Sequence, residues 1–147
     1  MLLFRAAAAL GAVGFVCACA SPAPQPSPAE ASPVPGKVTR SDGQLQAAAK
    51  GWPDRLADSE TQRRATSRDA AISEARGKLV AYAKRLKTSS GATVGQRAAK
   101  DAAFESRLQT WAAGLPVAET RWDVDDSAVV VLRADEASLR AVLGLEP

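Results

Sequence analysis

The chain has 147 residues, with 19 Lys and Arg against 16 Asp and Glu, and a formal net charge of +3. This length accommodates one domain together with a targeting signal or a linker. The chain contains no His and only two Cys, both of which precede residue 20. The composition therefore excludes His-dependent triads, imidazole acid–base catalysis and Cys/His zinc sites. It also leaves the body of the protein without a disulfide or a thiol nucleophile.

The N-terminus has the features of a secretory signal. Arg5 supplies positive charge, and residues 6–16 are apolar and rich in Gly and Ala. This apolar stretch is too short for a transmembrane helix, which needs ~20 residues. We therefore expect residues 1–18 to be a signal peptide that directs the chain out of the cytoplasm.

Residues 16–19, Val-Cys-Ala-Cys, resemble a bacterial lipobox, in which small residues precede the cysteine that receives the lipid. The resemblance implies a diacylglycerol on the sulfur of Cys19, cleavage before Cys19 and a further acyl chain on the new amino terminus. Several acyl chains make membrane attachment stable, since each buried CH₂ contributes ~0.8 kcal/mol. Ala20 implies export to the outer membrane. The alternative is a plain cleavage site at Ala18-Cys19-Ala20, which would release a soluble periplasmic protein.

A Pro-rich stretch follows at residues 21–36 and holds six of the nine prolines. Pro and Ser without bulky apolar residues bury too little surface to offset chain ordering, so we expect a disordered, extended tether. A Pro-rich ligand for a partner is the alternative use of such a segment. The predicted organisation is a signal peptide (1–18), a lipidated Cys19 with its tether (19–43), and a folded domain (44–147).

Two long helices are predicted in the middle of the chain. Apolar residues at spacings of three and four predict an amphipathic helix from Thr66 or Ser67 to about Lys87. A second apolar stripe predicts another helix from about Gly95 to Gly114. Both stripes are rich in Ala and Leu, which favours packing on a small core.

The region before these helices gives a weaker pattern. Residues 44–50 are helix-prone, and Gly51-Trp52-Pro53 interrupts them. We expect Trp52 to pack as a lid on the body, or else to contact a ligand.

The hydrophobic period changes near the C-terminus. Residues 117–124 and 128–133 are predicted strands, separated by the turn-forming residues 125–127. The second strand is apolar on both faces, so it should lie inside a sheet. Because two strands alone are marginally stable, we expect a third strand within residues 37–62.

A short C-terminal helix completes the prediction, with Asp135 as its cap and Gly144 at its end. The predicted fold class is α+β. Two amphipathic helices pack on a small antiparallel sheet of two or three strands, followed by the short C-terminal helix.

Three segments carry a likeness to a known family. They are AAISEARGKL at 70–79, WDVDD at 122–126 leading into VVLRAD at 130–135, and Gly51-Trp52-Pro53. Over residues 50–145 their order resembles the LPP-twenty-like family of bacterial outer-membrane lipoproteins. One departure is that residues 58–66 lack the glycine of the family's turn before its Ala-rich helix. The resemblance implies an envelope lipoprotein without a known catalytic site, so Cys19 is the one functional residue that it transfers.

Acidic residues near the predicted hairpin are candidates for metal binding. Asp123, Asp125, Asp126 and Ser127 offer several oxygens near one turn. The spacing lacks the glycine and the bidentate Glu of an EF-hand loop. We interpret the cluster as a solvent-facing turn and expect neither a metal nor a cofactor.

Paired carboxylates are the second candidate chemistry. Asp135 and Glu136, together with Glu119 or Asp123, would support polymer hydrolysis only if they converged in a cleft. Helix capping already explains Asp135. We therefore expect no catalytic residues.

Charge is unevenly distributed along the chain. Residues 50–87 hold ten Lys and Arg against five Asp and Glu, whereas residues 119–147 hold three against seven. Arg63, Arg64 and Arg68 form a candidate patch for an anionic partner such as lipid or cell-wall polymer. The alternative is that opposite charges pair within the fold or face solvent.

These features predict a non-enzymatic lipoprotein, anchored in the outer membrane and facing the periplasm, that serves as a structural or binding domain. Its partner would be another envelope protein or a cell-wall polymer, and export argues against nucleic acid. A soluble periplasmic binding or chaperone-like module, with exposed apolar surface between the two long helices, is the first alternative. A hydrolase acting on envelope polymers is the second.

Overall fold

The computed structural model describes residues 35–145. The predicted signal peptide, Cys19 and the predicted tether as far as residue 34 lie outside the described residues.

The described residues form an α+β fold. The strands are Val38–Ser41 (β1), Gln44–Gly51 (β2), Val117–Trp122 (β3) and Ala128–Asp135 (β4). The helices are Glu60–Arg85 (α1), Val94–Ala98 (α2), Ala102–Ala113 (α3) and Glu136–Leu143 (α4). The sheet has the order β1-β2-β4-β3, and each neighbouring pair is antiparallel. The α+β class is confirmed, and the sheet has four strands where two or three were expected.

Residues 44–50, which we expected to be helix-prone, form strand β2 instead. Alternate residues of β2 enter the core, and the strand pairs with β1 on one side and β4 on the other. Tertiary pairing thus overrides the helical propensity of three consecutive alanines. Asp42 and Gly43, with φ of 50° and 74°, make the two-residue turn between β1 and β2. Asp-Gly is a strong hairpin signal, because both residues of this turn need positive φ.

The predicted boundary between tether and domain, at residues 43 and 44, lies too far toward the C-terminus. Strand β1 lies within the predicted tether, and all four of its residues pair with β2. The amide of Gly36 also donates to the carbonyl of Ala48 at 3.1 Å. The third strand expected within residues 37–62 is confirmed, and it comes with a fourth.

Helix α1 begins before the predicted Thr66 or Ser67. Ser59 is its N-cap, and Ser59 and Gln62 form a reciprocal capping box. Thr66 and Ser67 lie inside the helix, where their hydroxyls donate to carbonyls of the preceding turn. The predicted second helix is divided into α2 and α3, because the Asp101 side chain accepts a hydrogen bond from the Phe104 amide and starts a new helix.

The C-terminal prediction is confirmed in its main features. Strand β4 lies between β2 and β3, as its two apolar faces required. Asp135 caps α4, and Gly144 ends it in the left-handed conformation. Strand β3 ends at Trp122 rather than at Val124, because the amide of Asp123 donates to the carbonyl of Ser127 and closes a turn.

The core lies between one face of the sheet and the helices. Alternate residues of β2 and β4 contact buried residues of α1, α3 and α4. The largest fully buried side chains are Phe104, Leu45, Leu79, Leu108, Leu132, Leu139 and Leu143. Helix α1 packs across β2 and β4, and Gly51 lies directly against its backbone at Ser67 and Ala71.

Candidate functional site

The sheet has two ends with different chemistry. We call one the hairpin end; it comprises the loop 52–58, the end of β3 at Trp122 with the β3–β4 turn 123–127, and the first two turns of α1. The opposite end, where β2 begins and β4 runs into α4, is the groove end.

A groove of about 900 Å³ opens at the groove end. Helix α3, the loop that follows it, the last residues of β4 and helix α4 form its walls. Its apolar residues are Trp111, Leu115, Pro116, Ala134, Ala141 and Val142. Small-molecule and peptide sites are typically concave and mostly apolar with a few polar groups, so this groove is the strongest candidate site.

Polar side chains line parts of the same groove. Arg107 and Arg133 contribute guanidinium groups, and Ser106, Thr110 and Ser138 contribute hydroxyls. The Arg107 guanidinium lies 5.6 Å from the centre of the Phe104 ring, a contact that orients it. The Asp135 carboxylate also lines the groove, but one of its oxygens accepts the amide of Ser138 at 2.9 Å. The groove thus combines an apolar surface with two cations.

At the hairpin end, the acidic cluster is held by basic and hydroxyl groups. The Lys50 ammonium lies 2.8 Å from the Asp123 carboxylate. Arg63 and Arg64 both bind Asp126, at 2.9 and 3.0 Å. These contacts join β2 and α1 to the turn between β3 and β4.

The same contacts lower the pKa values of the three aspartates. The hydrogen bond from Lys50 holds the pKa of Asp123 below its usual range, and Asp123 in turn raises the pKa of Lys50. Hydrogen bonds from the Ser127 hydroxyl and amide lower the pKa of Asp125. The hydrogen bond from Arg63 lowers the pKa of Asp126 most; burial opposes this shift, and Arg64 lowers the pKa further. All three carboxylates are therefore stabilised as anions.

The candidate patch of Arg63, Arg64 and Arg68 is divided by the structure. Arg63 and Arg64 share the carboxylate of Asp126, and Arg64 also pairs with Glu60 at 2.8 Å. Arg68 is half-buried and has no ion pair within residues 35–145. The internal pairing that we gave as the alternative therefore applies to two of the three arginines.

The carboxylates proposed for hydrolysis do not converge. Glu119 lies on β3 and Asp123 lies at the hairpin end, whereas Asp135 lies at the groove end. Glu136 is buried and pairs with Arg40 at 2.6 Å and with Arg140 at 3.1 Å. In residues 35–145 no three acidic side chains are grouped as ligands for a metal ion.

A second, more polar cleft lies between the two long helices α1 and α3. Its lining includes Asp69, Arg76, Gln109 and Val80. The Arg76 guanidinium donates to the carbonyl of Ala113 at 2.6 Å, where it satisfies a free carbonyl at the end of α3. The apolar surface expected between the two long helices is thus mixed in character, and the more apolar groove lies between α3 and α4.

Trp52 does not pack as a lid on the body. Its side chain is 63% exposed, and the Lys50 ammonium lies 4.6 Å from the centre of its ring. Cys19, the predicted lipidation site, lies outside the described residues.

The sequence did not reveal the groove, because its walls come from three separate segments of the chain. In the sequence, periodicity places Trp111 in the apolar stripe of the helix predicted from Gly95 to Gly114, and Pro116 indicates only that this helix cannot continue. One usable signal was the run Gly114-Leu115-Pro116, which places two apolar side chains in a loop.

Comparisons of the chain with protein-family models, with curated proteins and with solved structures gave no match. Among the helices of residues 35–145, none is both long enough and apolar enough to cross a bilayer.

Proposed function

We propose that this protein is a lipid-anchored, non-enzymatic lipoprotein of the bacterial outer membrane that binds another envelope protein through its groove. The N-terminal charge, the short apolar stretch and the Val-Cys-Ala-Cys motif support the anchor at Cys19. The Pro-rich stretch behind it supports an extended tether between the anchor and the body. The LPP-twenty-like resemblance agrees with this proposal and stays a prediction.

The observation that carries the binding function is the apolar groove between α3 and α4. Trp111, Pro116 and Val142 line it, and exposed apolar surface of this kind is typical of interaction sites. Aromatic and aliphatic pockets of this kind receive the anchoring side chains of a partner.

The occupant of the groove is an apolar peptide segment flanked by carboxylates. Arg107 lines the groove, so an opposite charge beside the apolar anchor would complement it. The hydroxyls of Thr110 and Ser138 can bind a peptide backbone. These features support a peptide of another envelope protein over a cell-wall polymer, because a sugar chain lacks large apolar side chains.

The groove can be tested with an apolar anionic dye, anilinonaphthalene sulfonate, as the probe. We expect Val142→Asp to reduce the affinity of the dye for the groove at least ~10-fold, because a carboxylate would lie beside the dye's apolar rings. Ala70→Asp is the matched control, since Ala70 is exposed on α1, away from both the groove and the hairpin end, and should leave dye binding unchanged.

Peptides then test the chemistry of the occupant. A peptide with two leucines flanked by glutamates should displace the dye, whereas its lysine-flanked counterpart should not. Equal dye binding by Val142→Asp and the unmodified protein would contradict the groove site. Equal displacement by both peptides would contradict an acidic partner.

A soluble periplasmic module with the same groove is the second candidate. The observation that favours it is the run Ala18-Cys19-Ala20, which also fits plain cleavage. The two candidates differ in the N-terminal residue and in the mass of the mature chain.

A further inference from the structure

The exposed large apolar side chains of residues 35–145 all lie at the hairpin end. They are Trp52, Leu56, Trp122 and Val124. Leu56 is 85% exposed and Val124 is fully exposed, and both lie in loops rather than on a helix or strand face. Apolar side chains at adjacent loop tips are costly to hold in water, so their concentration at one end indicates a surface that is covered in use.

Contacts between the segments hold this surface together. The indole N–H of Trp122 donates to the carbonyl of Arg64 at 3.3 Å, and the amide of Asp54 donates to the hydroxyl of Thr66 at 3.0 Å. The ion pairs of Asp126 bind the β3–β4 turn to the same part of α1. Both loops are therefore fixed against the start of one helix.

The chain enters the domain toward this same end. Strand β1 is antiparallel to β2, and the amide of Gly36 bonds to Ala48, three residues before the end of β2 at Gly51. The first described residues thus lie beside the second half of β2, on the side of the hairpin end. Extended as polyproline II, the residues between Cys19 and Gly36 would span about 50 Å, which permits the body both to touch the bilayer and to leave it.

The residue types fit the polar–apolar boundary of a bilayer. Trp is favoured there because its ring is apolar and its N–H is polar, and Lys50 extends its ammonium over the Trp52 ring. Acidic groups outnumber basic ones at this end, because residues 50–66 and 123–127 hold six Asp and Glu against four Lys and Arg. This balance favours a zwitterionic lipid surface over an anionic one.

We infer that the hairpin end is a membrane-contact surface, in which Trp52, Leu56, Trp122 and Val124 rest in the interfacial layer of a zwitterionic bilayer while the groove faces away. This inference rests on the proposed lipid anchor. An anchored body has a high effective concentration at the bilayer, so a weak contact is sufficient. The contact would also turn the groove away from the bilayer, because the groove and the hairpin end lie at opposite ends of the sheet.

The test uses the acylated full-length mature protein in phosphatidylcholine vesicles that contain a brominated lipid, which quenches nearby tryptophans. In a Trp111→Phe background, the two remaining tryptophans both lie at the hairpin end. We expect their fluorescence to fall roughly twofold, as interfacial rings lie within reach of the bromines. The converse variant, Trp52→Phe with Trp122→Phe, leaves only Trp111 at the groove and should show little quenching.

Substitutions then separate contact from attachment. In the Trp111→Phe background, Leu56→Ser with Val124→Ser should abolish most of the quenching, whereas the control Val142→Ser should not change it. Both exposed positions lie outside the core, so folding should be retained. Adding anionic phosphatidylglycerol should not increase the quenching. Quenching that is unchanged by the double substitution, or equal for Trp111, would overturn the membrane-contact surface.

The two proposals fail in different ways. If the protein is acylated but its tryptophan fluorescence is not quenched, the lipid anchor stands and the membrane-contact surface is contradicted. If the mature protein lacks the lipid, the anchor fails, and flotation of the unacylated protein with the same vesicles still tests the surface. Leu56 and Val124 could instead become protected from solvent only when other envelope proteins are present. That result would show that this end binds a protein, and it would contradict the bilayer contact.

Discussion

At Gly51, strand β2 and helix α1 approach so closely that no side chain fits between them. A Cβ atom at this position would overlap the backbone of Ser67 and Ala71, which cannot move aside as a flexible side chain would. We predict that Gly51→Ala lowers the free energy of unfolding by ~1–3 kcal/mol, the usual cost of overpacking a core. Urea unfolding followed by circular dichroism measures this change.

The matched control is Gly77→Ala, in the exposed middle of α1, where an added Cβ would meet no atom within 4 Å. Alanine is the better helix former, so this substitution should stabilise the protein by up to ~1 kcal/mol. Equal effects of the two substitutions would show that α1 does not rest on Gly51.

The ion pairs of Asp126 make stability depend on pH. Arg63 and Arg64 lower the pKa of Asp126 in the folded state. The Asp126 carboxylate therefore stays ionised to lower pH in the folded protein than in the unfolded chain. This stabilisation is present at neutral pH and is lost as the pH falls below about 4, the usual range of an Asp side chain. We predict that Asp126→Asn lowers the urea midpoint at pH 7 and changes it much less at pH 3.

The control for this experiment is Asp69→Asn, an exposed carboxylate on α1 without an ion pair within residues 35–145. It should leave the midpoint nearly unchanged at both pH values. An Asp126→Asn effect of the same size at pH 3 as at pH 7 would show that charge on this residue does not join the turn to α1.

At the scale of elements, the chain shows where local pattern decides structure and where it does not. The segment from β4 to α4 was predictable, since β4 is apolar on both faces and Asp135 and Gly144 bracket a short helix. Residues 44–50 were not, because three alanines favour a helix and only pairing with β1 and β4 makes them a strand. Asp42-Gly43 was the local signal for that hairpin.

Helix α4 forms one wall of the groove, and its start depends on a single side chain. The Asp135 carboxylate accepts the amide of Ser138, as an N-cap should. We predict that Asp135→Ala lowers stability by ~1 kcal/mol and increases amide exchange in the first turn of α4. Asp135→Asn keeps a capping oxygen and should retain most of the stability, and equal losses in both variants would contradict the capping role.

At the scale of the whole molecule, the structure separates two surfaces that the sequence could not place. Composition and the N-terminal motif predicted an export signal and a tether, and the helix and strand patterns predicted the α+β class. The groove and the exposed hairpin end needed the fold, because each combines side chains from segments that are distant in the chain. Their opposite positions on the sheet support a body with one end toward the membrane and the other toward a partner.

The anchor is the premise on which this arrangement depends, and the intact mass of the mature protein from the membrane fraction tests it most directly. We predict a chain that starts at Cys19 and carries a diacylglycerol and a further acyl chain, and we predict that Cys19→Ser abolishes this modification. A chain that starts at Ser21 with an unmodified mass, recovered from the soluble periplasmic fraction, would contradict the lipid anchor.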